Sequence, residues 1–161
     1  MALGGLAQKA NIKRCLEEYL VDNLRDAEGL QLDLEGVPFE TTGKSEWVQP
    51  RIIDFTGVNL RQASATEYGT QVSLLLSINI FVPKSGTTYA DRHYRLRDKV
   101  VNYFKVGQKI PVRDYIGGGA TPVIDYMKVR RVATDRPVFS EDFLQYSLAF
   151  DIDYTERTIN A

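Results

Sequence analysis

Several groups of residues are of types and spacing that could do chemistry. Gly43-Lys44-Ser45 matches the end of a phosphate-binding loop, where a lysine meets phosphate oxygens and a hydroxyl meets a cation. The full pattern needs a glycine five residues before Gly43, and Pro38 stands there. It also needs a helix to follow, whereas Trp47 and Val48 read as the start of a strand. Gly117-Gly118-Gly119 has no lysine–serine pair after it and reads as a loop tip. Neither segment is expected to hold a nucleotide.

Cys15 is the only cysteine and His93 the only histidine. A nucleophilic thiol needs a base, so these two would have to meet in space. The bland reading, a packed thiol and a packed helix histidine, is the expectation. One His and one Cys make no zinc site without carboxylates. Asp151 and Asp153 alternate along a strand and share a face, which would suit a weak cation site or an acid/base pair. A solvated or interface-facing acidic edge is the simpler reading. Arg92, Arg95 and Arg97 make one helix locally basic, offset by Asp91 and Asp98, and Arg130-Arg131 forms a second basic pair. No catalytic, cofactor or metal site is expected.

Helices and strands must position these groups. Gln8 to Ala27 reads as an amphipathic helix, with Ile12, Leu16, Tyr19 or Leu20, and Leu24 on one stripe. Leu30, Leu32 and Leu34 alternate with polar residues as a short strand. Trp47 to Phe55 is a strand broken by Pro50, which places it at a sheet edge or a bulge. Gly57 to Gly69 reads as a long polar loop. Gln71 to Val82 alternates most clearly, with Val72, Leu74, Leu76, Ile78, Ile80 and Val82 on the buried face and Leu75 and Phe81 as apolar exceptions on the other. Thr88 is expected to cap a second helix, Tyr89, His93, Leu96, Val100 and Tyr103 or Phe104 to form its inner face, and Gly107 to close it. Lys109 to Arg113, Val123 to Val132 (with a bulge near Arg130) and Leu144 to Tyr154 supply further strands. Asp135 to Asp142 is a connector. Residues 1–7 and 155–161 are expected to be flexible ends of a single domain spanning 1–161. The fold class is α+β, a mainly antiparallel sheet with two helices on one face.

Composition narrows the partners. The 161 residues suit one domain, which buries roughly 70% of its unfolded surface and needs no disulfide or metal staple. Twenty basic and 21 acidic residues leave a net charge of −1, so nucleic acid is not expected as the primary ligand. A single cysteine fits a reducing cytoplasm. The apolar runs are too short to span a bilayer, and no signal peptide or membrane partner is expected.

The run Pro38-Phe39-Glu40-Thr41-Thr42-Gly43, followed by Trp47 and Pro50, begins a family resemblance. It continues through Ile78-Asn79-Ile80-Phe81-Val82-Pro83-Lys84, Gly86, and the helix holding Ala90-Asp91 and ending at Tyr103-Phe104. The chain resembles the tail terminator proteins of tailed bacteriophages, particularly long-tailed ones. The resemblance implies a structural virion protein without catalysis or cofactor, assembled in the host cytoplasm and placed at the tail–neck junction. Its implied partners are copies of itself in a ring (typically a hexamer), the major tail tube protein, a neck or head-completion protein, and DNA in transit through the lumen. Arg61, Glu67, Arg92, Arg95, Arg113 and Tyr115 are then candidate contacts to neighbouring subunits or the tube, and Asp151 and Asp153 candidate lumen residues. The alternatives are another neck or head–tail completion ring protein, a small Cys15/His93 enzyme, and a monomeric binding module.

Overall fold

Helix α1 (Lys9–Leu20) continues into a π-helical segment, Val21–Ala27. A stripe at strict four-residue spacing drifts around a turn of roughly 3.6 residues, and the wider π turn brings it back. Ile12, Leu16, Leu20 and Leu24 are accordingly all buried. Gly29, at φ +72°, ends the helix; its N–H reaches the Arg25 carbonyl at 3.0 Å and that of Leu30 reaches Leu24 at 2.9 Å. The structure, a computed structural model, describes residues 6–42, 45–62, 67–84, 90–116 and 122–159, with the side chains of 56–62, 67–70 and 157–159 outside that description.

Five strands follow: β1 (Trp47–Gln62), β2 (Glu67–Pro83), β3 (Lys109–Val112), β4 (Asp125–Val138) and β5 (Phe143–Ile159), with α2 (Arg92–Val101) between β2 and β3. They form one antiparallel sheet in the order β1-β2-β5-β4-β3. This is the expected α+β arrangement. The strand prolines sit on edges or at ends, and Pro83 is the last residue of β2, beyond the stretch that β1 covers. Pro50 and Pro111 lie on the edge strands β1 and β3, and Pro137 lies on β4 beyond the stretch that β3 covers. The even-numbered residues of β2, from Val72 to Val82, all face the core. They pack with Leu148, Phe150 and Ile152 of β5 and with Leu96, Val100 and Phe104 at α2. Phe104 stacks on Phe150 at 4.9 Å between ring centres and receives the edge of Tyr19 at 5.6 Å.

Several expectations are corrected. Leu30, Leu32 and Leu34 form no strand; one parallel bridge, Leu32 to Val48, straps them along the β1 edge, with Val48 N–H on Gln31 O and Asp33 N–H on Val48 O, both at 2.9 Å. The Gly57–Gly69 stretch is paired strand on both sides of residues 63–66, which lie outside the described residues, rather than a loop: β1 and β2 pair through Gln62 and Tyr68, and β5 pairs β2 out to Ile159. Pairing with distant chain makes these polar residues strand, which local alternation does not report. The same pairing extends β5 past Tyr154, where a frayed tail was expected, and Ala7 is buried with its N–H on Glu156 Oε2 at 2.9 Å. The first half of the Asp135–Asp142 connector is strand, since β4 pairs β5 through Val138 and Gln145, and only residues 139–142 form the turn. Helix α2 starts at Arg92; Asp91 precedes it and binds Arg95 instead of capping, and Thr88 lies outside the described residues. Gly107, at φ +88°, shapes the turn into β3 rather than closing α2, its N–H bonding Val129 O at 2.8 Å. The expected bulge appears at Val129/Arg131, with another at Val132/Thr134.

Candidate interaction surfaces

At the corner of α1 and β3, the fully buried Asn11 holds the chain that leaves the sheet. Its Nδ2 donates to Leu6 O at 3.0 Å and Arg113 O at 2.9 Å, and its Oδ1 accepts the Tyr115 N–H at 2.8 Å. One side-chain amide thus bonds the carbonyl before Asp114 and the N–H after it, as a neighbouring strand residue would. The Cys15 thiol lies against the same backbone, 3.4 Å from both N and O of Arg113. Burial pushes that thiol up, away from the thiolate a nucleophile needs. Arg113 bonds Glu18 at 2.8 Å, and the Arg14 guanidinium lies 5.2 Å over the Tyr115 ring. The Tyr115 hydroxyl is buried without a partner among the described residues.

The basic residues of α2 tie the helix down. Arg92 makes two bonds to Glu46, at 2.8 and 2.6 Å, and holds that carboxyl below its ordinary range. Arg97 grips Asp135 of β4 through two nitrogens and also bonds Asp98 at 2.9 Å. Asp135 is lowered by Arg97 and takes a further bond from the Tyr146 hydroxyl. Burial first, then Asp135, pushes Tyr146 up to about 12. Among the described residues Arg95 reaches only Asp91, one turn away at 3.2 Å, and it is largely exposed. His93 packs against Tyr94 and Tyr146, with ring centres 4.5 and 6.5 Å away, and its buried Nδ1 finds no partner among the described residues. Burial pushes its pKa down. The neighbours of Cys15 lie on α1 and β3, those of His93 on α2 and β5, and no bond joins the pair among the described residues.

The sheet face away from the helices carries Asp151 and Asp153. Across the ladder, Asp54, Leu75, Asp151 and Arg131 form one row and Ser73, Asp153 and Lys128 lie in the next. Arg131 bonds Asp151 at 2.7 Å and Arg130 pairs with Asp153 at 3.5 Å, around an open basin of about 620 Å³. The acidic edge read from the sequence is thus a row of ion pairs; exposed pairs of this kind contribute little stability but leave the face electrically balanced. At one end of the same face Trp47 stacks on Phe81 at 5.3 Å, with Phe143 edge-on at 5.3 Å and Phe39 at 6.4 Å. Phe81 is therefore apolar in an otherwise polar row because it packs on Trp47.

Arg61 and Glu67 lie on the β1–β2 hairpin, paired in register with Gly69 and Ile159, with side chains outside the described residues. The last β4 partner on β5 is Asp153, so β1, β2 and β5 run on as a three-stranded arm. Gly43, Lys44 and the Gly117–Gly119 run also lie outside the described residues. The predicted contacts therefore occupy four separate places: the arm, the α1–β3 corner, α2 and the open sheet face. Asn11, the aromatic cluster and the groove between α1 and β1 are features that sequence reasoning missed. Only the apolar exception Phe81 hinted at one of them, the aromatic cluster.

Among the described residues no cluster of three or more metal-ligating side chains occurs, and no helix is long and apolar enough to cross a membrane. No family model and no curated protein matches the chain. A solved structure shares its fold, with a TM-score of 0.61 at 13% identity over 91% of this chain and 95% of that one. The likeness is one of fold: an antiparallel α+β sheet domain over nearly its whole length.

Proposed function

We propose that the chain is a ring-forming tail terminator of a long-tailed bacteriophage: it caps the completed tail tube, ends its polymerisation and presents the surface for neck or head attachment. The sequence resemblance, which runs from the N-terminal helix to the last strand with its local strings between Pro38 and Phe104, motivates this reading. The observation that carries it furthest is the pairing of β1, β2 and β5 into an arm beyond β4, together with a sheet face that no second layer covers among the described residues. A protein that works by contact needs such surfaces more than it needs a pocket. The balanced Arg–Asp rows suit a face that passes DNA without gripping it. A Cys15/His93 enzyme gains no support from two groups held in separate surroundings, with the thiol pushed up and the imidazole lacking a bond to it. A neck or head-completion ring would use the same surfaces.

The test is genetic. Particles assembled without this chain are expected to carry tails of uncontrolled, excessive length, restored by supplying the chain in trans. Tails of normal length that only fail to join heads would favour the neck-ring reading. Infectious particles lacking the protein would refute both.

A further inference from the structure

Phe139, in the turn between β4 and β5, is 89% exposed. It is the most exposed large apolar side chain among the described residues. Glu141 and Asp142 beside it are exposed and have no ion-pair partner among the described residues. The Lys84 ammonium lies 5.9 Å from the Phe139 ring centre. Three strands away, α1 and β1 border an open groove of about 260 Å³ lined by Lys9, Ala10, Lys13, Glu35, Ile52 and Phe55, with Ala10, Ile52 and Phe55 supplying its apolar surface. Lys9 stands at the groove mouth, 5.3 Å over the Phe55 ring, without a carboxylate partner among the described residues.

We infer that the β4–β5 turn of one copy seats Phe139 in the α1–β1 groove of the next. Glu141 and Asp142 then face Lys9, and Lys84 faces Glu35. The occupant is a second copy because knob and hole, with matching charge, sit on one chain at places that do not overlap. Such a contact is head-to-tail: it has no two-fold axis and builds a closed ring or a filament. The inference rests on the ring reading above and names its contact.

The full-length chain and two variants are weighed by analytical ultracentrifugation, alone and with tail tubes. Phe139→Asp removes the knob and Ala10→Arg blocks the hole and repels Lys84. Both positions are exposed, and Trp47 emission reports whether each variant is folded. Each variant alone is expected to lose the ring and run as a monomer. Mixed in equal amounts they are expected to give a dimer, since one retains the groove and the other retains Phe139. A folded Phe139→Asp variant that assembles like the wild type, or a mixture that stays monomeric, overturns the contact while leaving the ring reading in place. A wild-type chain that never self-associates, with or without tubes, removes both.

Discussion

Replacing Asn11 by Ala removes three hydrogen bonds from a site with no exposure. The Tyr115 N–H loses its acceptor, and the Leu6 and Arg113 carbonyls lose a donor. A stranded buried polar group costs about 1–3 kcal/mol. The N–H is expected to bear that in full, and the carbonyls, on residues only partly buried, less. The sum is about 2–5 kcal/mol, a large share of the roughly 5–15 kcal/mol that holds a domain folded. For a chain of this length that lowers the melting midpoint by roughly 5–15 °C. Urea unfolding measures the loss, and amide hydrogen exchange at Tyr115 locates it, because protection there should fall further than at the centre of β2. Asn11→Asp keeps the acceptor but aims a carboxylate at two carbonyl oxygens. Its folded pKa is therefore raised, so its deficit relative to Asn11 should widen as pH rises above about 4. Asn23→Ala removes a single bond to Tyr19 O at 2.9 Å within the helix and serves as the control. An Asn11→Ala variant within about 0.5 kcal/mol of the wild type would refute the view that this amide stands in for a strand.

Three further outcomes are expected. Glu46 and Asp135 have lowered pKa values, so their contribution is present at neutral pH and lost as pH falls through the folded values; His93, also lowered, adds a loss starting below about 6.5, where the unfolded chain takes up the proton first. Urea midpoints between pH 3 and 8 should therefore flatten at the low end in Asp135→Asn and at the high end in His93→Gln, and unchanged profiles would contradict both assignments. Trp47, the only tryptophan, is buried against Phe81, so Phe81→Ala should red-shift its emission and cost about 2–3 kcal/mol; an unshifted spectrum would mean that the cluster is not formed. Cys15 should react with a thiol reagent only on unfolding, and Cys15→Ala should cost about 1–2 kcal/mol with assembly intact. Rapid labelling of the native chain would reopen the enzyme reading.

The core was legible because it follows local rules. The period of two in β2 named its buried face, and the helical stripe named Ile12, Leu16 and Leu24. Pro50 announced an edge, and the slip at Arg130 announced a bulge. What stayed hidden depends on distant chain. Asn59–Gln62 is strand because β2 pairs with it, and Thr155–Ile159 because β2 pairs from the other side. Asn11 reads as one more polar residue on a helix until Arg113 and Tyr115, about a hundred positions on, come to lie against it. The candidate contacts Arg92 and Arg113 were chosen as charged and available, yet their partners Glu46 and Glu18 are distant in sequence and invisible to charge counting.

Tube length measured in vitro tests the central claim most directly. Under the proposed terminator role, the tail tube protein encoded alongside this chain is polymerised with increasing amounts of it, and tube lengths are counted by electron microscopy. Tubes that shorten with dose and carry one ring at one end are the predicted result; tubes whose length ignores the chain, with no density added at either end, would contradict it.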